Sequence, residues 1–429
     1  MPNPGRFAIE NDVRLGINGL IMTDDTARPV SVDAEGRLGR RNVRVLMAAQ
    51  ALGGASPSIV ISLGGLVGQM LAPTAALVTL PVSLFNLGLA LGTLPAALVM
   101  RRFGRRSGYI LGAMFGAVAG LLAAGGIIAG LFWLFCIGTM VAGFYAAYVQ
   151  SYRFAAADAV PHDMRGVAIS RVMIGGLAAA VIGPQLVIWT RDMLPGLPFA
   201  GSFLSQAAVA LMALPILAML RTPPVTVLRQ GGGRPLSVIL RSPRFLLALA
   251  AGIVSYGLMT FIMTAAPIAM VDCGHSVGEA ALGIQWHVLA MFGPSFFTGR
   301  LIARFGKEVV TAAGLALIAA AAIVALGGLD LTAFWLSLVL LGVGWNFGFI
   351  GATAMITDCH TPQERAKVQG ANDFLMFGAV AAASFLSGTL LTAAGWQTIN
   401  LFVFPAVAII LVPLLLVAGL KHRAAPKSI

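Results

Sequence analysis

The chain has 429 residues, of which 58% are hydrophobic and 10% charged, with a mean hydropathy of +0.90 and a net charge of +12. Soluble domains carry about 25% charged residues, so this composition excludes a soluble enzyme or binding module and describes a polytopic membrane protein. Cys136, Cys273 and Cys359 form no CxxC pair and no metal-ligand spacing, so no disulfide, metal or resident cofactor is expected.

Residues 1–43 carry six Lys/Arg and six Asp/Glu and no apolar run, and are expected to form a disordered cytoplasmic tail. The first long apolar run begins after residue 44, which suits a retained span better than a cleaved signal. A bilayer core of ~30 Å takes about 20 apolar residues per helix. Six spans are predicted near 45–68, 76–99, 107–129, 131–156, 167–190 and 202–220. Six more follow near 245–269, 280–302, 309–328, 332–356, 368–393 and 396–420. Between the sets, 221–244 contains Pro223-Pro224, Gly231-Gly232-Gly233 and Pro235 and reads as a linker. The expected fold is an all-α membrane protein. It has a six-helix bundle over 44–220, a cytoplasmic linker, a second bundle over 245–420 and a short cytoplasmic tail at 421–429.

Of the 28 Lys and Arg, 24 fall in the tail up to Arg44, the even-numbered turns, the linker or the last residues. Arg153, Arg171 and Arg300 lie just inside the same ends of spans, and Arg191 alone falls in an outer loop. Positive residues collect on the cytoplasmic side, so both termini are expected there. The charge of +12 is then topology and calls for no nucleic acid.

Two features repeat. Arg102-Phe103-Gly104-Arg105 recurs as Arg304-Phe305-Gly306-Lys307, offset by 202, and Asp158 with Arg165 recurs as Asp358 with Arg365, offset by 200. A fixed offset of about half the chain marks an internal duplication. Six-span halves, a basic linker and these paired turns resemble the major facilitator superfamily over roughly residues 42–420. The family's turn motif usually places an Asp before the first Arg, where this chain has Arg101 and Ala303. A Gly-Pro stretch of antiporters is half present as Gly175, Gly176, Gly183 and Pro184.

The resemblance implies a cytoplasmic gate built from Arg102, Gly104, Arg105, Asp158, Arg165, Arg304, Gly306, Lys307, Asp358 and Arg365. It also implies a central cavity lined by spans 1, 4, 7 and 10. There Gln50, the stripe Tyr145, Tyr148 and Tyr152, Tyr256, Trp345, Asn346 and Phe349 are candidates, with Trp286 of span 8 added. Rings with a few amides suit a flat or amphipathic organic solute.

No carboxylate sits at a predicted midplane; Asp373 comes nearest, in span 11. Asp373, Arg153 and Arg171 either form a structural salt-bridge set with Asp158 or take part in coupling. His287 is either a proton shuttle or an interhelical hydrogen-bond donor. No GxxxxGK[ST] loop exists, so ATP does not drive this chain alone. The expected activity is secondary transport of a small organic solute across the cytoplasmic membrane by a monomer, coupled to protons or by facilitated diffusion. Uptake of a vitamin-like heteroaromatic such as a flavin and efflux of an amphipathic compound both fit. The rivals are a non-transporting sensor with the same fold and an integral membrane enzyme.

Overall fold

The computed structural model describes residues 32–161, 164–221, 233–361 and 363–424, and within these every regular element is a helix. Most of the expected tail, 222–232 of the linker and 425–429 lie outside the described residues, as does the side chain of Arg165. The first part of the chain forms α1 (Val32–Gly53), α2 (Ala55–Leu71), α3 (Leu80–Phe103), α4 (Arg105–Ile128), α5 (Phe132–Gln150), α6 (Tyr152–Asp158), α7 (Arg165–Thr190) and α8 (Ala200–Ala218). After a short α9 (Leu236–Leu240) come α10 (Pro243–Asp272), α11 (Val277–Phe292), α12 (Ser295–Phe305), α13 (Lys307–Gly327), α14 (Leu331–Ile356), α15 (Arg365–Leu401) and α16 (Val403–Ala424).

One boundary differs from expectation. Helix α1 starts at Val32, so the last twelve residues of the expected tail, 32–43, are helical. Val43, Val45 and Leu46 are buried, and they anchor a helix that composition alone marked as tail.

Ten stretches among the described residues are long and apolar enough to cross a membrane. Two local features account for the distance from twelve. Span 8 is interrupted at Gly293-Pro294, leaving α11 and α12 each too short to count. Spans 11 and 12 run together through Gly395, whose φ of 78° breaks the helix and turns the chain.

The two basic turns have the same backbone. Gly104 (φ 82°, ψ 158°) and Gly306 (φ 90°, ψ 158°) each end one helix and begin the next. A Cβ at Gly104 would meet nothing within 4 Å, so the demand for glycine comes from positive φ and not from space.

Helices α3, α4, α5 and α8 pack on one another in the first half, and α10, α11, α13 and α14 do so in the second. The halves meet through α3 against α15, α7 against α11, and α2 against α10 and α11. An offset of about 200 residues carries α3 onto α11–α12 and α7 onto α15, so the first two contacts exchange under the duplication. The meeting points lie on the face opposite the basic turns. Thr79 Oγ1 donates to the Ser384 carbonyl (3.4 Å), Ser83 Oγ to Ser384 Oγ (3.4 Å), and Gln69 to Asp272 (3.2 Å). Gln185 of α7 donates to Gln285 of α11 at 3.0 Å. Helix α1, the half of span 1 nearer the basic face, packs on α6, α7 and α8 of its own half. The named contacts between the halves thus lie on one face, away from the basic turns.

Candidate functional site

Where α10, α14 and α15 of the second half meet, they carry a ring cluster. Tyr256 of α10 meets Trp345 at 5.4 Å, Phe349 at 5.3 Å and Phe377 at 5.7 Å, each edge-on. Trp345 and Phe349, one turn apart on α14, stack at 5.0 Å. Phe292 closes the side at 6.2 Å from Trp345. Edge-to-face and offset stacks of this kind hold rings rigidly. Trp345 and Phe377 are buried within the cluster, while Tyr256 and Phe349 are half-buried.

Charge enters from the other half. Arg153 of α6 lies close enough to Asp373 of α15 and to Tyr256 to interact electrostatically with both. Its guanidinium lies 4.8 Å from the Phe154 ring, and its Nε is buried without a hydrogen-bond partner among the described residues. Asp373 Oδ1 accepts from Asn372 at 3.1 Å. Phe377 follows Asp373 by one turn, on the same face of α15. The centre therefore joins an aromatic wall, a cation with an unused donor and a carboxylate. That set can sandwich a planar solute and hydrogen-bond its polar edge.

Several expected cavity residues sit elsewhere. The tyrosine stripe of span 4 faces its own bundle. Tyr148 rests on Gly112, where an added Cβ would come within 2.7 Å of the ring, and Tyr145 rests on Gly116 at 2.5 Å. Tyr152 packs edge-on to Tyr109 at 4.7 Å and is fully buried. Gly112 and Gly116, one turn apart on α4 (span 3), form the groove that Tyr148 and Tyr145 fill, a seam of small residues against rings. Asn346 is turned from the cavity to the break in span 8. Its Nδ2 donates to the Met291 carbonyl (2.6 Å) and Ser295 Oγ (2.7 Å), while Thr298 donates to its Oδ1 (2.6 Å). In an unbroken helix Met291 would receive the amide of Ser295; the interruption at Gly293-Pro294 frees that carbonyl, and Asn346 satisfies it. Trp286 is 44% exposed and lies outside the ring cluster. Gln50 is half-buried between α1 and α7, beside Gly54 and Gly175.

The coupling candidates separate. His287 is fully buried, with Nδ1 2.7 Å from the Leu338 carbonyl. A carbonyl can only accept, so Nδ1 carries the proton and the ring ties α11 to α14. Arg171 is exposed among Arg37, Arg40, Arg41 and Arg44 and makes no pair with Asp158. The salt-bridge set of Arg153, Arg171 and Asp373 with Asp158 therefore does not form.

At the basic turns the duplication is repeated as a cation–carboxylate pair in each half. Arg105 bonds Asp158 at 2.5 Å, and Lys307 bonds Asp358 at 2.5 Å. Asp358 also takes Arg244 at 2.6 Å. Arg102 and Arg304 lie instead over the rings of Phe103 and Phe305, at 5.4 and 5.2 Å. Arg365 reaches Gln369 on its own helix at 3.4 Å. Each acid–base pair stays within one half. The pairs brace each half and do not by themselves join the two.

Sequence reasoning missed Phe292 and Phe377 of the ring cluster, and a linker clamp. Arg234 donates through Nε and NH2 to Glu364 (both 2.9 Å) and through its backbone amide (2.7 Å). The Thr361 amide adds a fourth donor at 2.9 Å. These bonds, that from the Arg234 side chain foremost, hold the Glu364 carboxyl far below its ordinary value of 4.5. A Glu immediately before Arg365 was the signal available.

Residues 45–377 and 251–428 match the family model described as Major Facilitator Superfamily. The chain is 66% identical over 407 residues to the riboflavin transporter RfnT of Brucella anthropi, covering 94% of this chain and 100% of that relative. It is 32% identical over 392 residues to YddS of Bacillus subtilis strain 168, described as an uncharacterized MFS-type transporter, covering 86% of this chain and 89% of that one. A crystal structure of a mutant of the nucleoside transporter NupG shares the fold with a TM-score of 0.68 at 14% identity, covering 87% of this chain and 99% of its own.

Proposed function

The chain belongs to the major facilitator superfamily, as a multi-pass membrane transporter of a small-molecule solute, and from that premise we propose that it carries riboflavin into the cell. The observation that carries the reading is the aromatic wall of Tyr256, Trp345, Phe349 and Phe377 facing Arg153 and Asp373. Riboflavin offers a flat tricyclic ring, an edge with two carbonyls and an imide N–H, and a polyhydroxyl chain. The rings would stack on the tricycle, the Arg153 guanidinium would donate to the carbonyls, and Asp373 would accept from the imide or a hydroxyl. The name of the RfnT relative supports the same substrate.

In this reading the basic face is cytoplasmic, with both termini there, because Lys and Arg gather on that side. A site open to the cytoplasm with the far side closed is the release step of import. The halves would rock about the ring cluster, with a gate on the basic face that draws in groups beyond the intra-half pairs. Asp373 is the group we place on a proton path, and a single chain carries both halves, so a monomer suffices. The domain division at 221–244 follows from the same two-fold plan.

Riboflavin fluorescence quenching on purified protein, followed by uptake into proteoliposomes with and without an imposed pH gradient, tests the proposal. Saturable uptake is expected. Quenching without flux would leave a sensor, and flux only outward would leave an exporter.

A further inference from the structure

Arg37, Arg40, Arg41 and Arg44 of α1 and Arg171 of α7 border an open cavity of about 570 Å³ on the basic face. Arg37, Arg41 and Arg44 follow one another at helical spacing along one side of α1. The ion pairs among the described residues all lie elsewhere. Arg41 makes one long bond, 3.4 Å, to the Met219 carbonyl.

The duplication supplies an internal control. Arg41 and Arg44 correspond to Arg241 and Arg244 at an offset of 200. Arg244 is bonded to Asp358 at 2.6 Å. The counterpart acid, Asp158, is bonded to Arg105 instead, and Arg44 lines the cavity. Arg171 corresponds to Ala371, so the wall it adds has no copy in the second half. Membrane topology asks only that positive charge lie on this side. It does not ask for five guanidiniums around one hollow, where they repel one another unless an anion sits between them.

Depth and size identify the anion. Helix α1 turns apolar from Val45 onward, so the hollow lies where the lipid core gives way to headgroups. Guanidinium forks take phosphate oxygens in pairs, and five forks around this volume exceed what one phosphate can occupy. We propose that the cavity holds the headgroup of an anionic phospholipid bearing two phosphates. Basic pockets between transmembrane helices on this side are suited to such headgroups. Helices α1 and α7 pack together, so the bound lipid braces the first half on the basic face.

Native mass spectrometry of the full chain, loaded with diphosphatidylglycerol or with phosphatidylcholine, tests this. Wild-type protein is expected to retain diphosphatidylglycerol, and R44Q/R171Q to lose about tenfold or more of that retention, with R101Q/R106Q unchanged. Equal retention of the two lipids by wild type would overturn the proposal, as would equal loss in both double variants. Displacement of the lipid by soluble inorganic pyrophosphate at matched concentration would assign the hollow to free phosphates and also overturn it. Thermal melting of each variant in detergent separates misfolding from lost binding. Flavin transport does not enter any arm, so failure here and failure of the substrate reading are distinguishable.

Discussion

Arg153 and Asp373 come from opposite halves of the chain and interact across the space between them. Either charge alone in that setting would be costly, and each offsets part of the other's cost. Arg153→Ala should weaken riboflavin binding by roughly 10–150-fold, the equivalent of about 1.5–3 kcal/mol for a hydrogen bond to a charged group. Asp373→Asn should reduce uptake and flatten its dependence on external pH. Fluorescence titration reads the first and proteoliposome flux the second. Full proton dependence in Asp373→Asn would remove it from the coupling path.

The ring cluster and the tyrosine stripe make opposite predictions. Trp345→Ala removes a stacked partner of Phe349 and an edge contact of Tyr256, and aromatic pairs contribute about 0.5–1.5 kcal/mol each. Binding should fall about tenfold. Tyr148→Phe should leave binding unaltered, whereas Gly112→Val, driven into the Tyr148 ring, should lower the melting temperature. A loss of binding in Tyr148→Phe with normal melting would return that stripe to the cavity.

Gly388 of α15 abuts Thr79 of the other half so closely that a Cβ cannot be added without displacement. Gly388→Val should therefore push the sealed face apart and favour the opposite state. Spin labels on the two faces would show the distance across α3 and α15 growing. An unchanged distance distribution would show that the seam yields elsewhere.

Asp358 bonds two cations where Asp158 bonds Arg105. Exposed pairs contribute about 0–1 kcal/mol each, so Asp158→Asn should barely alter stability. Asp358→Asn, which releases Lys307 and Arg244 together, should have the larger effect on melting, and equal effects would contradict this.

Glu364 sets an acid limit. Its folded carboxyl titrates below the ordinary 4.5, so the native state binds fewer protons than the unfolded chain in that range. Its stabilising contribution is complete above about pH 5 and is lost as pH falls toward the folded value. Melting followed between roughly pH 3 and 7 should show a decline at the acid end that Glu364→Gln lacks. A parallel decline in the variant would place the acid sensitivity on other groups.

The duplication, the two glycine turns and the repeated Asp158 and Asp358 were legible because they rest on residue type at fixed offset. Gly104, Gly306, Asp158 and Asp358 each have one chemical reason to be where they are. The cavity was only partly legible. Tyr256, Trp345 and Phe349 share one ring cluster, yet Tyr145, Tyr148 and Tyr152 looked equally suited to line a cavity. A span in lipid is apolar on every side, so its periodicity does not say which face turns to the centre. The glycines of span 3 held that information, because a ring needs a hollow opposite it. Asn346 misled for a related reason: the carbonyl it serves exists only because span 8 is interrupted.

The closed face is fastened mainly by hydroxyls. Thr79, Ser83, Thr264 and Ser384 meet at 3.2–3.4 Å, with no buried ion pair among them. Water can replace each such bond at little net cost, since a neutral hydrogen bond contributes only about 0.5–1.5 kcal/mol. Parting that seam breaks no ion pair; its one charged group, the exposed Asp272, loses only the Gln69 amide, which water can replace. A carrier latched this way can cycle on the modest free energy of its cargo, with no need of a stronger trigger to let go.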